Sequence, residues 1–99
     1  MPSPAVAREA TTLESELRAL LGHDKVGVRP YGQHLLIQMH VEDQAETVAR
    51  LTGLGQKQFG AAFRTHMGRW EPLPGAGSRA EMAGLVVDLL GAYLDPNNY

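Results

Sequence analysis

The sequence predicts an α+β domain: a two-layer sandwich in which three helices cover one face of a four-stranded, mainly antiparallel sheet, in the order αββαββα. Two long stretches carry apolar residues at helical spacing, and two others alternate apolar with polar residues as hairpins do. The alternation also predicts that the second face of the sheet is uncovered, because strands buried on both faces read as continuous apolar runs.

The first helix is predicted to run from near the N-terminus to the residue before Gly22. Its start has two interpretations, either Ser3 as the cap with Pro4 at the first helical position, or Thr11 with Glu14 as a capping box. Gly22 is expected to end the helix, since glycine readily adopts the left-handed backbone found there. The predicted apolar face comprises Val6, Ala10, Leu13, Leu17 and Leu20.

A first hairpin is predicted from residues 25–30 and 34–41, with Tyr31-Gly32 at its turn. Alternate residues should face inward, and Leu36 is the exception to this alternation. The inward set is Val26, Val28, Leu35, Ile37, Met39 and Val41.

A short helix is predicted after this hairpin. Asp43 and Glu46 have the spacing of a capping box, and Gly53 is a candidate helix end. Val48 and Leu51 would then face the core.

A second hairpin is predicted after the short helix, with Met67-Gly68 at its turn. The strand formed by residues 69–73 should lie at an edge or end there, because Pro72 cannot donate a ladder hydrogen bond. One face is predicted to carry Phe59, Ala61 and Phe63, and the other Gln58, Arg64 and His66.

The C-terminal helix, over residues 78–94, is the clearest element. Ser78 and Glu81 form a capping-box pair, and Asp95-Pro96 stops the helix. Its predicted apolar stripe is Met82, Leu85, Val86, Leu89, Leu90 and Tyr93. A neighbouring line of small residues could pack under the first helix or form a dimer seam, and consists of Ala80, Gly84, Val87 and Gly91.

Length and composition predict a single domain, residues 1–99, with residues 1–4 and 95–99 as flexible tails. A 43% hydrophobic and 20% charged composition excludes wholesale disorder, and the net charge of −2 excludes a polycationic nucleic-acid binder in bulk. The absence of cysteine excludes disulfides and thiolate chemistry. No secretory signal or bilayer-spanning stretch is visible, so a cytoplasmic protein without a membrane partner is predicted.

Basic residues are concentrated in the two hairpin segments, 25–41 and 56–71, where Glu71 is the only acid. They are expected to form a basic face that a protein partner or a nucleic acid could bind, although a merely solvated face has the same composition. The candidate binding residues are Lys25, Arg29, Tyr31, His34, Gln38, His40, Arg64, His66, Arg69 and Trp70.

No catalytic set, cofactor site or metal site is predicted. His34 and His40 share a strand face but should lie about 20 Å apart, too far to hold one metal ion. His40 and His66 could meet only if the second and third predicted strands were neighbours, which leaves an acid–base enzyme as a weaker hypothesis. Trp70 has two interpretations, a rim residue over the end of the core or an exposed interface anchor.

These features favour a small non-enzymatic interaction module. It is expected to bind a protein partner, or to form a homodimer, through its open sheet face or its C-terminal helix. The alternative is a nucleic-acid-binding domain that uses the basic sheet face. The predicted helix–hairpin–helix–hairpin–helix order resembles that of small secretion-chaperone-type folds, which act by binding a partner protein.

Overall fold

The computed structural model describes residues 4–98, so the proposed Ser3 cap and most of the predicted N-terminal tail lie outside the described part. The α+β class and the antiparallel sheet are confirmed, but this part contains five strands and two α-helices, whereas four and three were predicted. The elements are α1 (Pro4–Leu21), β1 (Val26–Tyr31), β2 (His34–Val41), β3 (Gln44–Gly55), β4 (Gln58–Arg64), β5 (Trp70–Pro72) and α2 (Arg79–Leu90), followed by 3-10 turns at Gly91–Leu94 and Pro96–Asn98.

The sheet is a simple meander in which each strand pairs antiparallel with the next, in the order β1-β2-β3-β4-β5. Both helices pack on one face of this sheet and against each other. The order helix–five strands–helix therefore departs from the order that resembled secretion-chaperone-type folds. Fully buried side chains from both helices, the sheet and the first 3-10 turn form the core. The largest are Leu13, Leu17, Val26, Leu35, Ile37, Met39, Leu51, Val86 and Leu94.

The predicted short helix after the first hairpin is wrong, because that segment is β3. Glu42 and Asp43 are not a helix start but the two central residues of a tight turn, with φ of 51° and 63°. Two positive φ values in a two-residue connection are typical of the type I′ hairpin turn, whose twist matches that of the strands it joins. The chain reverses there, and Val41 pairs with Gln44.

A β-bulge explains why β3 looked helical in sequence. The β2–β3 register shifts between Ile37 and Gln38, so that Val48 and Ala49 are both buried although they are neighbours. The extra residue breaks the strict alternation and leaves Val48 and Leu51 three apart, which is a helical spacing. Pairing with strands on both sides decides the conformation, since a helix of about nine residues is marginal by itself.

We expect Asp43→Gly to raise the free energy of unfolding by about 0.5–1 kcal/mol, since glycine adopts positive φ without the steric cost that Asp43 bears. If Asp43 capped a helix, the same change would lower stability by a few tenths of a kcal/mol. Urea denaturation distinguishes the two signs. Glu46→Gly, inside β3, is the control and should be destabilising.

Within their strands both hairpins keep the predicted faces, but His66, predicted beside Gln58 and Arg64, lies in the β4–β5 connection. The first turn lies at Gly32-Gln33, one residue later than predicted, and Gly32 has φ of 60°. β5 is an edge strand that ends at Pro72, as its proline content requires. The glycine-containing loop after β5 is attached to β4 through two backbone hydrogen bonds between Phe59 and Gly77.

α1 begins at Pro4 and continues through Thr11, so the alternative start at Thr11 is wrong. The helix covers the free edge of β1. The Val28 N–H donates to the Glu14 carboxylate at 2.9 Å, and Arg18 Nε donates to the Val26 carbonyl at 2.9 Å. Backbone groups that would otherwise be open to pairing with another chain are therefore occupied by side chains of the helix.

α2 has the predicted capping box. Ser78 Oγ accepts from the Glu81 N–H, and the Glu81 carboxylate accepts from the Ser78 N–H. The hydrogen bond from the Ser78 N–H to the carboxylate, followed by one from the Ser78 side chain, lowers the pKa of Glu81 below its ordinary value. The α-helix ends earlier than predicted, and Gly91 begins a 3-10 turn.

The buried stripe of α2 differs from the predicted one. Leu89 and Tyr93 are largely exposed, whereas Ala83 and Leu94 are fully buried. The helix is thus rotated so that its small residues partly face the core, but Gly84 is not packed under α1, since a Cβ there would meet no atom within 4 Å.

Arg79 joins the two helices. Its guanidinium donates to Glu9 at 2.5 Å and to Glu16 at 2.6 Å, both on α1. The hydrogen bond to Glu9, followed by that to Glu16, raises the pKa of Arg79 above its ordinary value. Two acids of α1 are therefore paired with one arginine at the start of α2.

Candidate binding face

The sheet has a second face that no helix covers, here called the outer face. Because strand side chains alternate, residues next to inward-facing core positions point outward, except at the bulge in β3. The pairing register places on this face Arg29, Tyr31, His34, Leu36, Gln38, His40, Thr47, Arg50, Thr52, Ala62, Arg64 and Trp70. Within residues 4–98, the register assigns no carboxylate to it.

Two arginines and the single tryptophan form what we call the Arg–Trp cluster: Arg50, Arg64 and Trp70. The guanidinium carbon of Arg50 lies 4.4 Å from the centroid of the indole, and that of Arg64 lies 5.5 Å away. Both distances are within cation–π range, where each contact contributes roughly 0.5–1 kcal/mol at an exposed site. The contacts hold two positive charges in fixed positions.

The strand register explains how the cluster assembles. Trp70 on β5 pairs with Arg64 on β4, and Arg50 on β3 pairs with Ala62, two residues before Arg64. Arg50 and Arg64 are therefore diagonal neighbours across two strands, and the indole extends from the edge strand to both. The small side chain of Ala62 leaves room for this arrangement.

Arg50 occupies the central strand and is the most constrained member of the cluster. Its backbone partners are Leu36 and Ala62, both outward-facing and partly buried. Its Nε is buried and has no hydrogen-bond partner among residues 4–98. An unpaired buried donor costs about 1–3 kcal/mol, so its retention at the centre of an open face marks a candidate functional position.

His34 lies beside Arg50 but adds no charge to the face at neutral pH. Burial, and secondarily the positive charge of Arg50, lower the pKa of His34 below its ordinary value of 6.5. Its Nδ1 is 2.8 Å from Thr52 Oγ1 on β3. A second cross-strand pair on the same face joins the Gln38 amide to Thr47 Oγ1 at 3.1 Å.

The other predicted binding residues lie outside the Arg–Trp cluster. Arg29 and Tyr31 are exposed on β1, the far edge of the outer face. Lys25 precedes β1 and pairs through its carbonyl with the N–H of His40. The last two lie in the β4–β5 connection and are His66 and Arg69.

The possible meeting of His40 and His66 is contradicted by the topology. His40 is on β2 and His66 follows β4, and the whole of β3 lies between those strands. The prediction failed because the segment taken as a helix is the intervening strand. Both imidazoles are exposed, and the acid–base pair that they were to form is not assembled.

Trp70 is not a rim residue of the core. Its pairing with Arg64 places it on the outer face, where it is half-buried beneath the two arginines.

One carboxylate, Glu46, lines a cleft of about 560 Å³ together with Arg64 and His66 at the end of the sheet. No ion pair joins Glu46 to Arg64.

Sequence reasoning missed Arg50, the centre of the cluster, because the helix predicted after residue 43 left this residue outside the two hairpin segments. The available signal was the alternation of buried Ala49 and Leu51 with Arg50 and Thr52. Leu36, the exception in the predicted β2 pattern, is also explained. It pairs with Arg29 on one side and Arg50 on the other, within the outer face.

Comparison with known proteins finds no matching family model, no similar curated protein and no similar solved structure. The function is therefore inferred from the side chains themselves. Across residues 4–98, His, Asp and Glu side chains form no group of three suited to a metal ion. In the same part of the chain, neither helix is long and apolar enough to cross a bilayer.

Proposed function

We propose that this protein is a small interaction module that binds a partner protein through the outer face of its sheet. The observation that carries the proposal is the Arg–Trp cluster, a pair of fixed cations on a surface to which the strand register assigns no acid. Arginine and tryptophan are the residue types most enriched at interface hot spots. A tryptophan that holds arginines in place reduces the entropy lost when they bind.

Nucleic-acid binding is the alternative that the same face supports. Its basic surface, to which the strand register assigns no carboxylate, suits phosphates. Two observations favour a protein instead. The arginines lie over the indole, the surface on which a base would stack, and the chain as a whole carries a net charge of −2.

Self-association through α2 is a second candidate. Leu89 is 50% exposed near the end of α2, and Tyr93 is 60% exposed in the 3-10 turn that follows it. These two exposed apolar side chains could contact another copy of the chain. Light scattering coupled to size exclusion measures this directly, and Leu89→Glu should convert such a dimer to monomer.

The proposed function is tested by affinity capture, in which the wild-type protein and two double variants are immobilised separately. Wild type should retain a set of proteins that Arg50→Gln/Arg64→Gln fails to retain. The control Arg8→Gln/Lys57→Gln removes the same charge from α1 and from the β3–β4 turn, at the opposite end of β4 from Arg64. It should retain the wild-type set.

Equal retention by all three proteins, or no specific retention by wild type, contradicts the proposal. Circular dichroism should show that the variants keep their fold, because both arginines lie on the surface layer and not in the core.

A further inference from the structure

We propose that the occupant of the outer face is an acidic protein segment in extended conformation, with carboxylates at alternate positions that bind Arg50 and Arg64. This inference rests on the proposed function and adds the chemistry of the partner. It follows from charge, from spacing and from the burial of Arg50 Nε.

The chain pairs some of its own acids with arginines of the helical layer. All three ion pairs between described residues lie in or against α1: Arg18 with Glu14, and Arg79 with Glu9 and Glu16. The arginines of the outer face have no such partner, and neutral His34 does not add to them. A ligand with two or three negative charges is therefore complementary to the outer face, whereas a long polyanion would extend beyond its cations.

Arg50 and Arg64 lie over the same indole, which limits the distance between their guanidinium groups. Guanidinium carbons 4.4 Å and 5.5 Å from one ring centroid are at most about 10 Å apart. In an extended chain, side chains at i and i+2 point the same way and are separated by about 6.6 Å at the backbone. A carboxylate can add reach through its side chain, so alternate acids match the two arginines without bending the peptide.

The direction of approach follows from burial. Because Arg50 Nε is buried, a carboxylate would meet the end of the guanidinium through its two terminal nitrogens. End-on contact permits a two-point hydrogen bond, which is stronger and more directional than a single one. The guanidinium carbons of Arg50 and Arg64 both lie over the indole, and Arg64 is exposed.

The test uses Trp70 as an intrinsic reporter, since it is the only tryptophan in the chain. Emission is followed while wild type is titrated with a blocked hexapeptide of alternating Thr and Asp. The matched probes are the Thr-Asn hexapeptide, a hexapeptide with its three Asp residues contiguous, and a twelve-residue oligothymidylate. We expect a saturable change with the alternating acidic peptide, weakening as salt is raised.

The variants locate the binding site. Arg50→Gln and Arg64→Gln should each weaken binding of the alternating peptide at least tenfold, while Arg8→Gln should change it less than twofold. Testing both cluster arginines separately keeps the result interpretable should one variant fail to fold. Equal binding of the Asn peptide overturns the role of charge, and equal binding of the contiguous peptide overturns the alternating geometry.

The outcomes separate this inference from the proposed function. Saturable binding of oligothymidylate alone would replace the acidic segment by a nucleic acid. If no probe alters the emission of Trp70 while affinity capture still depends on Arg50 and Arg64, the interaction module stands and the acidic occupant is wrong. Failure of both experiments overturns both proposals.

Discussion

Replacing Leu35 by alanine should lower the free energy of unfolding by about 2–5 kcal/mol, whereas the same change at Leu36 should cost about 1 kcal/mol or less. The two residues are neighbours on β2, but they point to opposite faces of the sheet. Leu35 is 1% exposed within the core, so its truncation leaves a cavity that the packed helices cannot fill. Leu36 lies on the outer face, where solvent occupies the vacated space.

The pair is a matched test of which face of the sheet the helices cover. Urea denaturation followed by circular dichroism gives both free energies, and the slopes should agree because the exposed surface is nearly the same. Similar costs for Leu35→Ala and Leu36→Ala would contradict the two-layer arrangement. The outer face would then be covered, and both functional proposals would lose their basis.

Leu90→Ala should also cost about 2–5 kcal/mol, and Leu89→Ala should have an effect within about 0.5 kcal/mol. The sequence pattern placed both leucines on the buried stripe of the C-terminal helix. In the structure, Leu90 is 5% exposed and Leu89 is 50% exposed. The difference arises because Ala83 and Val86 face the core, which turns Leu89 away from it.

Thermal and urea denaturation at several protein concentrations would test this prediction and the state of association together. A large cost for Leu89→Ala at every concentration would show that the predicted stripe was right. A cost that appears only as the concentration rises would instead indicate a dimer through α2, because stability then depends on the concentration of the protomer.

The features that were predicted correctly from the sequence depend on short-range interactions along the chain. The capping box of Ser78 and Glu81 and the end of α1 at Gly22 depend on residues only a few positions apart. β2 was predicted with its observed bounds, since its alternation is nearly strict. In each of these cases the short-range preference and the tertiary fold agree.

The failures are where a long-range partner overrides the local signal. The pair Asp43 and Glu46 has the spacing of a helix cap, yet Asp43 lies in a hairpin turn with positive φ. The bulge opposite Ile37 leaves Val48 three residues from Leu51 on the same face, which is a helical spacing. Only the pairing with the neighbouring strand explains it. This one error removed Arg50 from the candidate site, since the residue belongs to the strand that joins the two hairpins.

From the sequence alone came the α+β class, the capping box of Ser78 and Glu81 and the end of α1 at Gly22, because each depends on neighbours along the chain. The tertiary structure alone decided that a fifth strand completes the sheet, and that Arg50, Arg64 and Trp70 meet on its open face. Those three residues are brought together by hydrogen-bonded registers between strands, and a register is a property of paired chains that no single segment encodes.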